Sequence, residues 1–209
     1  MTKKERALES VRLLKEEYPE PTCSLIADDP FQLLVATRLS AQCTDARVNI
    51  VTPSLFAKYP TPVEMAAADV KDVEDLIRST GFFRTKARDL VVLSGQILDR
   101  FGGRVPDNIE DLTLLQGVGR KTANLVCGDV YKMPGAVVTD THLIRIANRI
   151  GLVNEKDPKK VEFALRKLLP PDESNDFCHR CVLHGRACCT ARKAHCESCC
   201  LADVCKKNI

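Results

Sequence analysis

The sequence predicts an all-α protein, and three observations carry that expectation. Apolar residues recur at helical spacing along almost every segment, helix start and stop signals punctuate the chain at short intervals, and no alternating run is long enough to require a strand. With 209 residues and 44% apolar side chains, the chain can pack one large domain or two small ones.

Thr2-x-x-Glu5 forms a capping box, and Ala7, Val11, Leu14 and Tyr18 follow at helical spacing until Pro19 stops the helix. Asp29-Pro30 supplies an N-cap with proline at the first helical position, leading into Phe31, Leu34, Val35 and Leu39. Val48, Val51 and Leu55 line the helix after Asp45, and Thr61-Pro62 opens a short one. Val70, Val73 and Ile77 mark the next, with Gly81 expected as its left-handed cap. From Thr85 the stripe Leu90, Val91, Ile97, Leu98 and Phe101 runs to Gly102-Gly103, and Asp107-Asn108-Ile109-Glu110 caps a brief helix. Asp140 precedes Leu143, Ile146, Ala147 and Ile150; Asp157-Pro158 opens a helix carrying Val161, Ala164, Leu165 and Leu168, which Pro170-Pro171 ends. Ala136-Val137-Val138 is the one place that suits a short extended piece.

A net charge of +3 neither demands nor excludes nucleic acid. No apolar run reaches the roughly 18 residues of a membrane helix, and the charged start Met1-Thr2-Lys3-Lys4-Glu5-Arg6 lacks a signal core, so a soluble, cytoplasmic protein is expected. The cysteine count of 11 is high for that compartment, and an odd number argues against a disulfide framework. Only Cys23, Cys43 and Cys127 precede residue 178; the rest crowd into the tail.

The chemistry centres on Leu114-Leu115-Gln116-Gly117-Val118-Gly119-Arg120-Lys121-Thr122-Ala123-Asn124, followed by Asp140. Gly117 and Gly119 can take backbone angles closed to other residues and expose their N–H groups. A helix starting near Arg120 would aim further N–H groups, and the positive end of its dipole, the same way. Such a turn is a phosphate seat with a primary amine beside it. Read alone, it is equally an ordinary glycine turn with a solvated lysine.

The tail contains Cys189-x6-Cys196-x2-Cys199-x5-Cys205. Thiols so close together, broken by Arg192, Lys193 and His195, suit a metal better than core packing. Zinc sites usually repeat a short cysteine pair, whereas one short pair between longer loops favours a larger iron–sulfur cluster. Cys188 and Cys200 adjoin ligand candidates and can substitute for them. Cys178 and Cys181 share a helix face and read as buried small residues.

Together these motifs resemble the endonuclease III family of DNA glycosylases. Gly117-Val118-Gly119-Arg120-Lys121-Thr122-Ala123 is similar to its helix-hairpin-helix motif, Asp140-Thr141-His142 to its catalytic-aspartate segment, and Leu39-Ser40-Ala41-Gln42-Cys43-Thr44-Asp45 to a further signature. The tail is similar to its 4Fe-4S loop, with Cys189, Cys196, Cys199 and Cys205 as ligands. The resemblance spans residues 20 to 205. It implies two helical domains flanking a DNA cleft: a six-helix barrel over residues 22–133, with the hairpin at about 107–128, and a cluster domain from residues 1–21 and 134–209, whose 4Fe-4S loop is 189–205.

The resemblance further implies a glycosylase and abasic-site lyase acting on damaged double-stranded DNA as a monomer. An amine near the ordinary lysine pKa of about 10.4 is protonated at neutral pH; burial and a positive helix start are what release its proton. Neutral Lys121 would attack the sugar C1′ and expel the base, and β-elimination from the resulting Schiff base would cut the strand. Asp140 would stabilise positive charge on the sugar, while its other role, as N-cap, would fix the carboxylate. The damaged base has to leave the stack, so Gln42 would enter the duplex and Phe82 would act as the wedge. The N–H groups of Gly117, Val118 and Gly119 would hold phosphate, with Arg186, Arg192 and Lys193 making the cluster region basic.

Three departures from the family pattern stand out. Gln116 replaces a proline, which is expected to loosen the turn; Thr139 replaces a valine; Cys43 replaces a small apolar residue. Excision of oxidised pyrimidines is the expected activity. A glycosylase for mismatched or dimerised pyrimidines and a non-catalytic, zinc-bearing DNA-binding module are the alternatives.

Overall fold

The structure, a computed structural model, describes residues 1–208. Among these residues there are helices and turns but no strand, and an isolated bridge pairs Cys189 with Ala194. Ala136, Val137 and Val138 are buried but join no ladder. No described helix is long and apolar enough to cross a membrane.

The chain forms two compact units. One is Cys23–Tyr131; the other combines Met1–Thr22 with the chain from Lys132 onward. The first unit contains α2 (Pro30–Ser40), α3 (Asp45–Lys58), α4 (Pro62–Ala66), α5 (Val70–Ile77), α6 (Phe83–Phe101), α7 (Ile109–Leu112) and α8 (Arg120–Asp129). Its apolar stripes meet in one core, where Leu34, Leu39, Leu55, Met65, Ile77, Leu90, Leu93 and Ile97 are fully buried. The longest helix, α6, packs against α2, α4 and α5. Asp29 caps α2 by accepting from the Gln32 N–H at 2.9 Å, and Thr44 caps α3 by accepting from the Arg47 N–H at 3.3 Å.

Gly81 differs from expectation. The helix before it ends at Ile77, a 3-10 turn covers Arg78–Thr80, and Gly81 takes φ 64°, ψ 147° rather than a left-handed helical cap. The terminal carbonyls are satisfied by side chains instead. Thr80 donates its hydroxyl to the Ile77 carbonyl at 2.9 Å, and Lys86 reaches the Thr80 carbonyl.

The second unit holds α1 (Lys3–Glu17), α9 (Thr141–Ile150), α10 (Pro158–Leu168) and α11 (Ser174–Ala187). Both halves of the Thr2–Glu5 capping box form, and α1 buries Ala7 and Leu14 against α10 and α11. Polar contacts fasten α1. Arg180, 1% exposed, donates to the Tyr18 carbonyl at 3.1 Å and to Glu173 at 3.0 Å; Lys15 also pairs with Glu173; Arg6 donates to the Val204 carbonyl at 2.9 Å. Cys178 and Cys181 are buried on α11.

Candidate active site and cysteine centre

Buried Leu115 and Val118 anchor the glycine turn. Gly117 has φ +72°, and a Cβ there would lie 2.6 Å from Arg38 Nε and 2.9 Å from Asp89 Oδ2, so backbone and space both demand glycine. Gly119, with φ −93°, is extended, and a Cβ would meet nothing within 4 Å. It is the N-cap of α8 and provides no side-chain cap, unlike the Asp, Thr or Asn residues that cap α2, α3 and α7. Lys121, expected to be partly buried, is instead exposed at the second position of α8, so the uncapped helix start is the part of that expectation the fold retains. Val118 differs from its expected role: its N–H donates to the Leu115 carbonyl at 3.1 Å, so it closes the turn rather than facing outward.

The expectation that Gln116 loosens this turn is overturned. Its N–H, absent in a proline, donates to Gln96 Oε1 at 2.7 Å, and its side-chain amide donates to Asp89 Oδ1 at 3.1 Å. Asp89 is 7% exposed and also pairs with Arg38, whose Nε donates to Oδ2 at 3.0 Å. Two side-chain bonds from α6 thus pin the loop. Sequence reading missed Asp89 and Arg38 because their pairing spans distant segments with no local pattern.

Gln42 and Phe82 share an unusual backbone. Both are non-glycine residues at positive φ, 54° and 47°, and both are exposed, Phe82 to 69%. Their turns adjoin, since a Cβ on Gly81 would lie 3.9 Å from the Gln42 carbonyl oxygen. Phe83, by contrast, is half-buried and stacks between Arg78 and Arg84, 5.5 and 5.6 Å from its ring centre.

In the second unit, half-buried Asp140 caps α9, its Oδ1 accepting from the Leu143 N–H at 2.7 Å. Arg186, Arg192 and Lys193 are exposed. One cavity is lined by Cys188, Cys189, Cys196, Cys199 and Cys205 over an apolar floor of Ile146, Ile150 and Leu201. Donors surround these sulfurs: Arg149 donates to Cys189 Sγ at 3.3 Å, the Lys207 N–H to Cys205 Sγ at 3.3 Å, and His184 Nε2 lies 3.5 Å from Cys199 Sγ. Hydrogen bonding from Cys200 and then His184 pushes the Cys199 thiol below its ordinary range, against the effect of its burial. Among the described residues, ligand atoms of His184, Cys188 and Cys199 lie within 4.8 Å of one another. This is a cysteine-rich candidate metal site, and its soft donors fit a thiolate-held metal or cluster.

Residues 35–171 match the HhH-GPD superfamily of base excision DNA repair proteins, the class to which this helical fold and its glycine hairpin belong. Endonuclease III of Synechocystis is 47% identical over 204 residues, 98% of this chain and 93% of the relative. That of Escherichia coli is 37% identical over 203 residues, 97% and 96% of the two chains. A solved endonuclease III–DNA trapped covalent intermediate aligns with a TM-score of 0.92 at 38% identity, covering 99% of this chain and 97% of that one. A thermostable thymine-DNA glycosylase shares the fold, with a TM-score of 0.86 at 22% identity over 97% of this chain and 96% of its own. The chain belongs to the endonuclease III family of that superfamily.

Proposed function

We propose that this base excision repair glycosylase removes oxidised pyrimidines from duplex DNA and cuts the abasic strand, with Lys121 as nucleophile. The observation that carries this reading is Lys121 on the first turn of an uncapped helix, directly after a glycine hairpin. The start of α8, which no side chain caps, and Gly119 suit a DNA phosphate, which would bring the sugar to the amine. Lys121 Nζ attacks C1′ and the base leaves with its bonding electrons, taking up a proton the amine releases; the C1′–O4′ bond then opens, O4′ leaving as a hydroxyl, and the resulting iminium loses a C2′ proton and then the 3′ phosphate. Asp140, fixed by its own cap, is assigned to stabilising positive charge on the sugar. Gln42 and Phe82 are assigned to filling the space of the extruded nucleotide. A trapped covalent DNA intermediate is described for an endonuclease III of 38% identity, which supports a nucleophile of this kind.

Cys189, Cys196, Cys199 and Cys205 would hold a 4Fe-4S cluster. Arg145 and Arg149 on α9 support the loop, donating to the Cys189 carbonyl at 3.0 Å and the Thr190 carbonyl at 2.7 Å. The cluster would supply structural cross-links, keeping Arg192 and Lys193 in place for phosphate contacts.

Borohydride trapping on DNA carrying an oxidised pyrimidine tests the reading. Wild type should form a covalent adduct, and Lys121→Ala should form none. Asp140→Asn, which preserves a capping oxygen, should slow excision by about 100-fold or more while folding normally. An undiminished adduct in Lys121→Ala would refute the assignment. Excision confined to mismatches or pyrimidine dimers would refute the substrate class.

A further inference from the structure

The proposed wedge residues and the glycine turn come from three separate stretches of sequence, yet one face of α6 touches the backbone or anchors of all three. Lys86 and Asp89 are one helical turn apart and both are buried, at 1% and 7% exposure. Lys86 Nζ donates to the Leu39 carbonyl at 2.7 Å and to the Thr80 carbonyl at 2.7 Å. Leu39 lies in the last turn of α2, where carbonyls lack intrahelical partners, shortly before Gln42. Thr80 closes the 3-10 turn shortly before Phe82. One ammonium therefore ties together the bases of two turns whose tips hold non-glycine residues at positive φ. Asp89 extends the same device, pairing with Arg38 on α2 and accepting from Gln116 at the glycine turn.

A buried ammonium is an expensive way to join two loops that apolar packing could also join. Burial lowers the Lys86 pKa; nearby Cys43 pushes it back up, and Arg38 lowers it further. Two carbonyl acceptors supply what hydrophobic contact does not: a fixed direction and a fixed separation between the turns.

We propose that the Lys86–Asp89 face of α6 is the positioning element for base extrusion, setting Gln42 and Phe82 at fixed separation and in register with the phosphate seat. Neither residue touches the reacting atoms in this scheme. The proposal rests on the wedge roles given above to Gln42 and Phe82.

The test compares two substrates. Base excision from a duplex carrying an oxidised pyrimidine opposite 2-aminopurine requires extrusion, which the fluorescence reports. Borohydride trapping on a single-stranded abasic oligonucleotide requires no extrusion. Lys86→Met should slow extrusion and duplex excision by at least about tenfold, as a misplacement near 1 Å does, and leave single-strand trapping within about threefold. Lys86→Arg, which keeps donors for both carbonyls, should recover most of the duplex rate. Phe82→Ala should slow the wild-type duplex reaction but add little to Lys86→Met, because the two losses share one cause. If Lys86→Met does not fold, Lys86→Gln, with one amide donor group, is read in the same way. Equal loss on both substrates, full additivity with Phe82→Ala, or an unchanged duplex rate would overturn the proposal. A wild-type protein that traps no abasic DNA would refute the lysine chemistry instead, and a Phe82→Ala protein with normal extrusion would refute the wedge.

Discussion

Gly117 and Gly119 are two residues apart and are glycine for different reasons. At Gly117 the positive φ and the crowding by Arg38 and Asp89 are internal to the fold. Gly117→Ala should cost about 2–3 kcal/mol in chemical denaturation, combining left-handed strain with a displaced ion pair. At Gly119 nothing in the chain occupies the space a methyl group would take. Gly119→Ala should therefore stay within about 1 kcal/mol of wild type, since a poorer N-cap is offset by a less flexible unfolded chain. Its binding to abasic duplex should nevertheless weaken by about tenfold, the worth of one charge-assisted bond, because a DNA backbone has to approach there. Equal stability with equal affinity would remove Gly119 from the proposed interface. Both glycines stand out in the sequence, but the reason for each needs coordinates: Arg38 is far from Gly117 along the chain.

At the scale of elements, most helices were legible through their caps and α8 through its glycine turn, whereas the start of α11 carried no such signal. Asp29, Thr61, Asp140 and Asp157 each cap the helix their position predicts. Glu173 precedes α11 without capping it, because its carboxylate is engaged by Lys15 from α1 and by Arg180. The Lys15 bond, aided by Arg180 and opposed by burial, holds the Glu173 carboxyl below its ordinary value of 4.5. A carboxyl depressed in the folded state stabilises it above the unfolded pKa, and that contribution fades as pH falls through the lower folded value. Glu173→Gln should lower stability by about 1 kcal/mol at pH 7, a modest figure because Lys15 is exposed and water screens the pair. Denaturation curves of the two proteins should begin to converge as the pH drops below 4.5 and should meet only below the lower folded value. A gap that persists in acid would mean that Glu173 acts through packing rather than charge.

For the whole molecule, the all-helical class was legible because caps and apolar spacing are local, and the family was legible because four motifs stand in order. The bonding beneath the glycine turn was not, since Gln116, Asp89 and Lys86 find their partners only after α2 and α6 pack. The cysteine loop poses the remaining question of what folds it. Between Cys188 and Cys205 it has a 3-10 turn at Cys196–Ser198 and the Cys189–Ala194 bridge, and it buries Leu201 and Val204 but few other apolar side chains. With so little secondary structure and core to offset the ordering of a loop this long, ligation of the proposed cluster would be the main source of its folding energy. Removing the metal by oxidation in the presence of a chelator should therefore expose Arg192 and Lys193 to rapid tryptic cleavage, while the capped helices of Cys23–Tyr131 keep their protection. Elemental analysis of the intact protein should find iron and sulfide rather than zinc. Unchanged protection after complete metal loss would show that the loop folds on its arginine contacts alone, and that any cluster there has a purpose other than structure.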